Sequence, residues 1–286
     1  MVSEILDVLV PKPGETAVDC TLGHGGHARK ILERLMPDGH LIGLDVDPFE
    51  LPRTESALRA QGFGADVFSA YKSNYAGISS ALAAHGYAGA DVILADLGVS
   101  SMQLDNPLRG FSNKRPGPLD MRLNPNRGLT AAQWLQRTTP DKLLETLQEN
   151  ADEPHAAALA SALAGKSFSL TSDLTNAIRE VLKARPTEDQ DKSVRRTFQA
   201  IRIAVNEEFT ALEAFLRALP IALNEGGRVA ILTFHSGEDR RVKKYFQAAF
   251  RDGLYKKIAL DVIRPSAEEC RSNPRATSAK LRWAYK

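Results

Sequence analysis

The sequence predicts an α/β fold in which a doubly wound, mostly parallel sheet is interrupted by an all-helical insert. Three observations lead to this prediction. In the first hundred residues, short apolar runs alternate with segments of helical periodicity, as expected for parallel strands joined by right-handed helical crossovers. Residues 104 to about 192 contain no convincing strand. Further on, a helix, an apolar run and two more candidate strands return.

The predicted strands are short apolar runs, and the second and fourth of them end in an aspartate. They lie at residues 17–20, 41–45, 67–68, 92–96, 228–234, 257–260 and 280–285. Helices are predicted at residues 28–35 and 78–84, behind the capping box at Thr130, behind Thr139-Pro140, and behind Ser172. One long amphipathic helix is predicted over 194–216 and a last one from about Glu238. The link 261–278 is long enough to be a functional loop.

This pattern divides the chain into a sheet domain, residues 1–103 and 193–286, and an inserted helical domain, residues 104–192. The composition is 43% hydrophobic and 25% charged, which is typical of a soluble globular protein. No apolar run approaches the roughly 18 residues that span a bilayer, and no signal segment is present, so a cytoplasmic protein without a membrane partner is expected. Cys20 and Cys270 are far apart and lack metal spacing, so we expect two reduced thiols.

Basic residues cluster in two zones although the net charge is only +2. The first zone contains Arg109, Lys114, Arg115, Arg122 and Arg127. The second contains Arg264, Arg271, Arg275, Lys280, Arg282 and Lys286. Both zones could contact nucleic-acid phosphates, although charge alone is weak evidence because solvated basic loops are common.

The first predicted strand leads into a glycine-rich turn that precedes a helix, which is the arrangement of a nucleoside site. Candidate binding positions in this turn are Gly23, Gly25, Gly26 and His27. Asp45 ends the second strand roughly 20 residues on, where a carboxylate can accept both hydroxyls of a ribose. The glycine spacing also fits the dinucleotide fingerprint, so NAD remains an alternative. Asp19 before the glycines and the C-terminal pair of strands favour S-adenosylmethionine.

Asp96 ends the fourth predicted strand, beside the expected cofactor edge of the sheet. An exocyclic amine on a nucleic-acid base is a poor nucleophile because its lone pair is delocalised into the ring. An acceptor that pulls on the N–H bond relocalises that pair towards an electrophilic methyl group. Asp96, or the backbone carbonyls after it, could be this acceptor, so Asp96 is the candidate catalytic residue. The competing interpretation is a helix cap after the strand.

Eight segments, in the same order and over nearly the whole chain, resemble the bacterial 16S rRNA cytosine-N4 methyltransferases. They are DCTLGHGGH at 19–27, LDVDP at 44–48, DLGVSSMQLD at 96–105, RGFS at 109–112, GPLDMR at 117–122, RTFQAIRIAVN at 196–206, FHSGEDR at 234–240 and NPRATSAKLR at 273–282. The resemblance implies methyl transfer from S-adenosylmethionine to N4 of a cytidine in the decoding region of small-subunit RNA. It also implies a seven-stranded methyltransferase sheet and a substrate-recognition role for the helical insert.

The resemblance also assigns residues to the site. It implies cofactor contacts at positions matching Gly25, Gly26, His27, Asp45, Tyr75, Asp96 and Gln103. An aromatic residue at Tyr75 would pack on the adenine. The chain departs from the family pattern at Pro116, at 150–153 and at Gly237, so the cofactor half is better kept than the RNA-facing half.

Six residues are candidates for contact with RNA. They are Asp120, Arg122, His235, Arg275, Lys280 and Arg282. For each a structural interpretation remains: Asp120 and Arg122 could pair with each other, His235 could be a structural histidine, and the C-terminal cations could lie on a solvated edge strand.

Small-subunit ribosomal RNA is the expected partner, no metal is required, and a homodimer is left open. Two alternatives from other functional classes remain. One is an NAD-dependent oxidoreductase, and the other is a catalytically silent RNA-binding relative that retains the cofactor pocket.

Overall fold

The computed structural model describes residues 1–286 and divides them into two compact units. The sheet unit consists of Met1–Gly98 and Phe209–Lys286, and the helical unit consists of Val99–Glu208. The strands are β1 (Thr16–Asp19), β2 (His40–Asp45), β3 (Phe68–Lys72), β4 (Ala90–Asp96), β5 (Leu223–Thr233), β6 (Lys257–Ile258) and β7 (Lys280–Tyr285). The helices of the sheet unit are α1 (Val2–Leu9), α2 (Gly26–Leu35), α3 (Glu50–Ala60), α4 (Ile78–Ala84), α11 (Glu208–Ala222), α12 (Ser236–Arg251) and α13 (Ala267–Ser272). Those of the helical unit are α5 (Ser101–Asp105), α6 (Ala131–Arg137), α7 (Pro140–Ala151), α8 (Ala156–Leu163), α9 (Thr171–Val181) and α10 (Thr187–Asn206).

The seven strands form one sheet in the order β3-β2-β1-β4-β5-β7-β6. Strands β1 to β5 are parallel to one another, and β7 runs antiparallel to both β5 and β6. This confirms the predicted doubly wound, mostly parallel seven-stranded methyltransferase sheet. The order reverses between β1 and β4, and ligands bind at such a point beyond the carboxyl ends of the strands.

The central strands are continuous apolar runs because the sheet is covered on both faces. Val18, Ile42 and Ile93 belong to one buried cluster, whereas Ala17 and Leu41, one residue earlier in their strands, belong to the cluster on the opposite face. All five are fully buried. The aspartates that end these strands therefore leave a rigid core at fixed positions.

The helical unit has its own core, and its first helices begin where the sequence predicts. Thr130 Oγ1 accepts from the amide of Gln133 at 3.2 Å and begins α6, and Thr139 Oγ1 accepts from the amide of Lys142 at 3.3 Å and begins α7. The buried side chains of the unit include Leu135, Leu143, Leu147, Leu159, Leu174, Ile178, Val194 and Ile201.

The long helix predicted over 194–216 is wrong, because the structure contains two helices there. Helix α10 ends at Asn206, Glu207 adopts a left-handed φ of 51°, and α11 starts at Glu208. Helix α10 packs against α7 and α9 and therefore belongs to the helical unit. This unit covers Val99–Glu208, whereas the sequence predicted residues 104–192. The apolar spacing did not reveal the break because one left-handed residue barely disturbs the period.

The link 261–278 is ordered around α13 and a short 3-10 turn at Pro274–Ser278. Across the whole chain, no helix combines the length and the apolar character needed to cross a bilayer.

Candidate cofactor and catalytic site

The glycine-rich turn after β1 is fixed by hydrogen bonds from two other elements. Gly23 donates its amide to Asp45 Oδ2 at 2.9 Å, and its carbonyl accepts from the hydroxyl of Thr54 on α3. Gly25 has a φ of 72°, and a Cβ there would lie 2.9 Å from Thr54 Cγ2. A side chain at position 25 would therefore be both strained and crowded. The glycine-rich segment leads directly into the N-terminal end of α2, where the first backbone amides point away from the helix.

Asp45 ends β2 with its carboxylate bound to backbone amides. Oδ2 accepts from Gly23, and Oδ1 accepts from Asp47 at 2.9 Å. Burial raises the pKa of Asp45, although these amides act in the opposite direction. Each carboxylate oxygen can accept a second hydrogen bond, so hydroxyl donors would stabilise the buried charge.

Asp19, His27 and Asp96 form a cluster at the ends of β1 and β4 and at the start of α2. The Nε2 atom of His27 lies 3.6 Å from Oδ2 of Asp96. The backbone amide of Asp96 donates to Thr21 Oγ1 at 2.7 Å, which holds the end of β4 against the end of β1. Asp96 Oδ1 and His27 Nδ1 are buried and have no hydrogen-bond partner.

The charges in this cluster shift one another's protonation. Burial raises the pKa of Asp19 to about 6, against the opposing effects of His27 and of the Thr21 amide. Burial lowers the pKa of His27, but the nearby carboxylate of Asp96 and the charge of Asp19 outweigh it and raise the pKa above its ordinary value. Perturbed titratable groups at the carboxyl edge of a sheet are typical of functional sites.

Tyr75 lies three residues after β3, at the same edge of the sheet as Asp45. Its ring meets that of Phe215 edge to face, with centroids 5.6 Å apart, and packs against the core. The tyrosine is therefore anchored at the edge where the sequence places a cofactor.

His235 follows β5 and caps α12 with its side chain. Its Nδ1 accepts from the amide of Glu238 at 3.4 Å, and its ring lies 5.8 Å from that of Phe209. Gly237 packs beneath the same ring, since a Cβ at position 237 would lie 2.7 Å from Phe209 Cζ. The guanidinium of Arg241 stacks 3.5 Å from the centroid of Phe209. The structural interpretation of His235 is thus the better supported.

The C-terminal cations differ in their surroundings. Arg282 is 5% exposed and donates to Asp239 at 2.6 Å, and Lys280 reaches the same carboxylate at 3.2 Å. These two cations hold the pKa of Asp239 below its usual range, although burial acts against them. Arg282 is therefore engaged inside the fold, which argues against the expected role as an RNA contact, whereas Arg275 is exposed.

Three of the expected site residues belong to the helical unit. Gln103 Oε1 accepts from the amide of Ser100 at 3.0 Å and completes the capping box of α5. Asp120 and Arg122 form a two-pronged ion pair at 2.8 and 2.7 Å. Met121 between them has a φ of 60° and is fully buried. The pairing interpretation of Asp120 and Arg122 is the one that the structure supports.

A family model described as the MraW methylase family matches residues 1–286. The chain belongs to the MraW methylase family.

Individual relatives agree over the full length. Ribosomal RNA small subunit methyltransferase H 2 of Alkaliphilus metalliredigens is 51% identical, and the match covers 100% of this chain and 84% of the relative. Methyltransferase H 1 of Agathobacter rectalis is 48% identical with the same coverage, and methyltransferase H of Burkholderia vietnamiensis is 38% identical over 99% of this chain and 95% of the relative. A SAM-dependent O-methyltransferase structure from Thermotoga maritima matches all of this chain and 64% of its own, at 11% identity and a TM-score of 0.45. A TM-score of 0.45 is too low to support a fold assignment, so the assignment rests on the strand order alone.

Membership of the MraW family confirms an S-adenosylmethionine-dependent methyltransferase, and the oxidoreductase alternative finds no support. The residues present fit this cofactor. Asp45 retains acceptor capacity for the ribose hydroxyls, and the open space beside Gly26 leaves the first amides of α2 accessible to a carboxylate.

Several residues of this MraW-family site were not singled out from the sequence as site residues. Thr21 and Asp47 lie within the matched segments, so their hydrogen bonds to Asp96 and Asp45 could have been suspected. Thr54 gave no signal, because its contact with Gly23 joins residues 31 positions apart.

Proposed function

We propose that this chain transfers the methyl group of S-adenosylmethionine to N4 of a cytidine in small-subunit ribosomal RNA, in the decoding region. The observation that carries this proposal is Asp96. Its Oδ1 is buried without a hydrogen-bond partner at the end of β4, beside the glycine turn that fits the cofactor. The names of the relatives supply the class of RNA, and the segments shared with the cytosine-N4 enzymes supply the atom.

The bound cofactor supplies an electrophilic methyl group on a sulfonium. Asp45 would hold the ribose through its remaining acceptor positions, and the first amides of α2 would hold the carboxylate. Gly23, Gly25, Gly26, His27, Asp45, Tyr75, Asp96 and Gln103 are the proposed cofactor-contacting residues. Tyr75, anchored on Phe215, would pack on the adenine.

Asp96 Oδ1 accepts the N–H of the cytidine amine and draws the lone pair out of the ring. As the new N–C bond forms, the proton of the amine passes to Asp96, and the electron pair of the broken C–S bond remains on sulfur. Positioning and proton acceptance together account for the acceleration, and a positioned acid–base group typically contributes about 10²–10⁴-fold. The reaction needs no metal ion, because the methyl group is already activated.

We propose that the helical unit recognises the RNA and that the target base leaves its stack to reach Asp96. Lys114 and Arg127 are exposed on this unit and can reach phosphates, and Arg275 is exposed on the sheet unit. Arg109 and Arg115 donate to backbone carbonyls within the helical unit and stabilise its loop. A ribosomal substrate places the enzyme in the cytoplasm.

The test replaces Asp96 by Ala and measures transfer of labelled methyl to small subunits that lack base methylation. We expect the rate to fall by about 10²-fold or more. The affinity for S-adenosylmethionine should change far less, because the glycine turn and Asp45 still contact the cofactor. Asp38→Asn, at an exposed site before β2, is the matched control and should behave as wild type. Undiminished turnover in the Asp96 variant would remove this residue from the mechanism.

A further inference from the structure

We propose that the His27 imidazole is a positioning residue that holds Oδ2 of Asp96 and thereby presents Oδ1 to the substrate amine. The resemblance implied a cofactor contact at His27 and assigned no role to its imidazole. The new assignment concerns the side chain. It rests on the proposed methyl transfer, because it acts through Asp96.

The geometry gives the two oxygens of Asp96 different surroundings. Oδ2 lies 3.6 Å from His27 Nε2, and Oδ1 is buried with no hydrogen-bond partner. A separation of 3.6 Å is longer than a formed hydrogen bond, and catalytic hydrogen bonds without substrate are often long and tighten in the complex. The main chain at Asp96 is already fixed, because its amide donates to Thr21 Oγ1 at 2.7 Å. What remains free at this residue is rotation of the carboxylate.

Rotation of the carboxylate would exchange Oδ1 and Oδ2 if nothing distinguished them. An Nε2–H donor on His27 removes this freedom by binding one oxygen. His27 is the second residue of α2 and directly follows the glycine turn, so the backbone that carries the imidazole is fixed. Because α2 packs on the sheet through fully buried Ala28 and Leu32, the ring cannot drift from Asp96. A misplacement of about 1 Å in such a site can cost about 10²-fold in rate.

The charges around the His27 imidazole also favour its position beside Asp96. Asp96 shares the site with the buried Asp19 and, one strand further, with Asp45. The charged groups that bear on the imidazole are Asp96 on β4, Asp19 on β1 and the amino group of Met1. The two carboxylates favour the protonated ring and the amino group opposes it. A donor or cation at Nε2 also offsets part of the repulsion among these neighbouring carboxylates.

The test compares His27→Gln with His27→Leu. Glutamine retains an N–H donor near the position of Nε2, whereas leucine fills a similar volume without one. We expect His27→Leu to lower kcat by about 10–100-fold with unchanged KM for RNA and unchanged Kd for S-adenosylmethionine. His27→Gln should recover most of kcat, and its kcat should no longer follow the titration of an imidazole as the pH is lowered. His85→Gln and His85→Leu, at the end of α4 in the same unit, are the matched controls.

Three results would overturn the proposal. If the Gln and Leu variants lose activity equally, the ring fills space or takes up a proton itself, and donor geometry is irrelevant. If both variants match wild type, the side chain plays no part. If both lose affinity for S-adenosylmethionine in calorimetry, the imidazole contacts the cofactor, not Asp96.

A second measurement needs no activity and therefore separates this proposal from the proposed function. Nitrogen NMR of the ring of His27, in protein without cofactor or RNA, should show its pKa moving towards acid in Asp96→Asn. An unchanged titration would disprove the pairing even if the enzyme methylates RNA. If the expected shift occurs but wild type yields no methylated cytidine, the pair stands and the proposed substrate is wrong.

Discussion

The ends of three neighbouring strands bring Asp19, Asp45 and Asp96 into one partly buried site. Asp19 is 1% exposed and accepts a hydrogen bond from the Thr21 amide at 3.1 Å. No cation is directly bound to it, and burial raises its pKa from 3.8 to about 6. At neutral pH the fold therefore contains a buried carboxylate whose ionisation is energetically unfavourable. Such perturbed groups are typical of functional sites.

This cost predicts a pH dependence of stability. Because the folded pKa of Asp19 lies above its unfolded value, its contribution is fully present below pH 3.8 and is lost as the pH rises through about 6. In Asp19→Asn this loss should be absent. Urea unfolding at several pH values should therefore show the free energy of unfolding of wild type falling by about 2 kcal/mol relative to the variant between pH 4 and 7. Parallel curves for the two proteins would contradict the assignment.

Gly237 is a second residue with a local consequence, because it packs against the ring of Phe209. Its Cβ position lies 2.7 Å from Phe209 Cζ and 3.2 Å from His235 Nδ1. We expect Gly237→Ala to lower the free energy of unfolding by about 1–3 kcal/mol through overpacking. Adding Phe209→Leu, which removes the ring, should recover part of this loss in a double-mutant cycle. Additive losses would show that Phe209 is not the source of the crowding.

At this scale the sequence identified residues whose chemistry is local and missed those whose partners are distant. The glycine turn and Asp45 were predictable because a strand, a turn and a carboxylate stand at fixed spacing. The pairing of Arg282 with Asp239 joins residues 43 positions apart on β7 and α12. Only the fold brings them together, so an exposed basic tail was expected where the structure has a buried ion pair.

At the scale of elements, strands and capped helices were predictable, and breaks caused by a single residue were not. The caps at Thr130 and Thr139 have side chains that reveal them. Glu207 and Val10, in contrast, end α10 and α1 in left-handed conformations that neither residue type favours. Tertiary packing imposes these conformations, so the local sequence contains no signal for them.

Val10 offers a direct test of such an end. It follows α1 with a φ of 41°, and its amide donates to the Leu6 carbonyl at 2.9 Å. A β-branched residue is strained in this conformation and glycine is not, so Val10→Gly should raise the free energy of unfolding by about 1 kcal/mol. Val2→Gly, within the same helix, is the control and should lower it. A destabilised Val10 variant would mean that packing of the valine outweighs the strain.

At the scale of the whole molecule, the chain contains three buried clusters, one on each face of the sheet and one within the helical unit. The absence of predicted strands between residues 104 and 192 was sufficient to predict an insert. Its boundaries were not predictable, because α10 has the same apolar periodicity as a helix covering the sheet. The cofactor side of the function follows from the sheet edge, and the RNA side depends on a unit that departs from the family at 150–153.

The central claim is the transfer of a methyl group to N4 of a cytidine in small-subunit RNA. Its most direct test incubates the protein with labelled S-adenosylmethionine and small ribosomal subunits lacking base methylation, followed by nucleoside analysis. The account predicts label in N4-methylcytidine from the decoding region, and none with Asp96→Ala. Label in another nucleoside, or no label from protein that binds the cofactor, would contradict it.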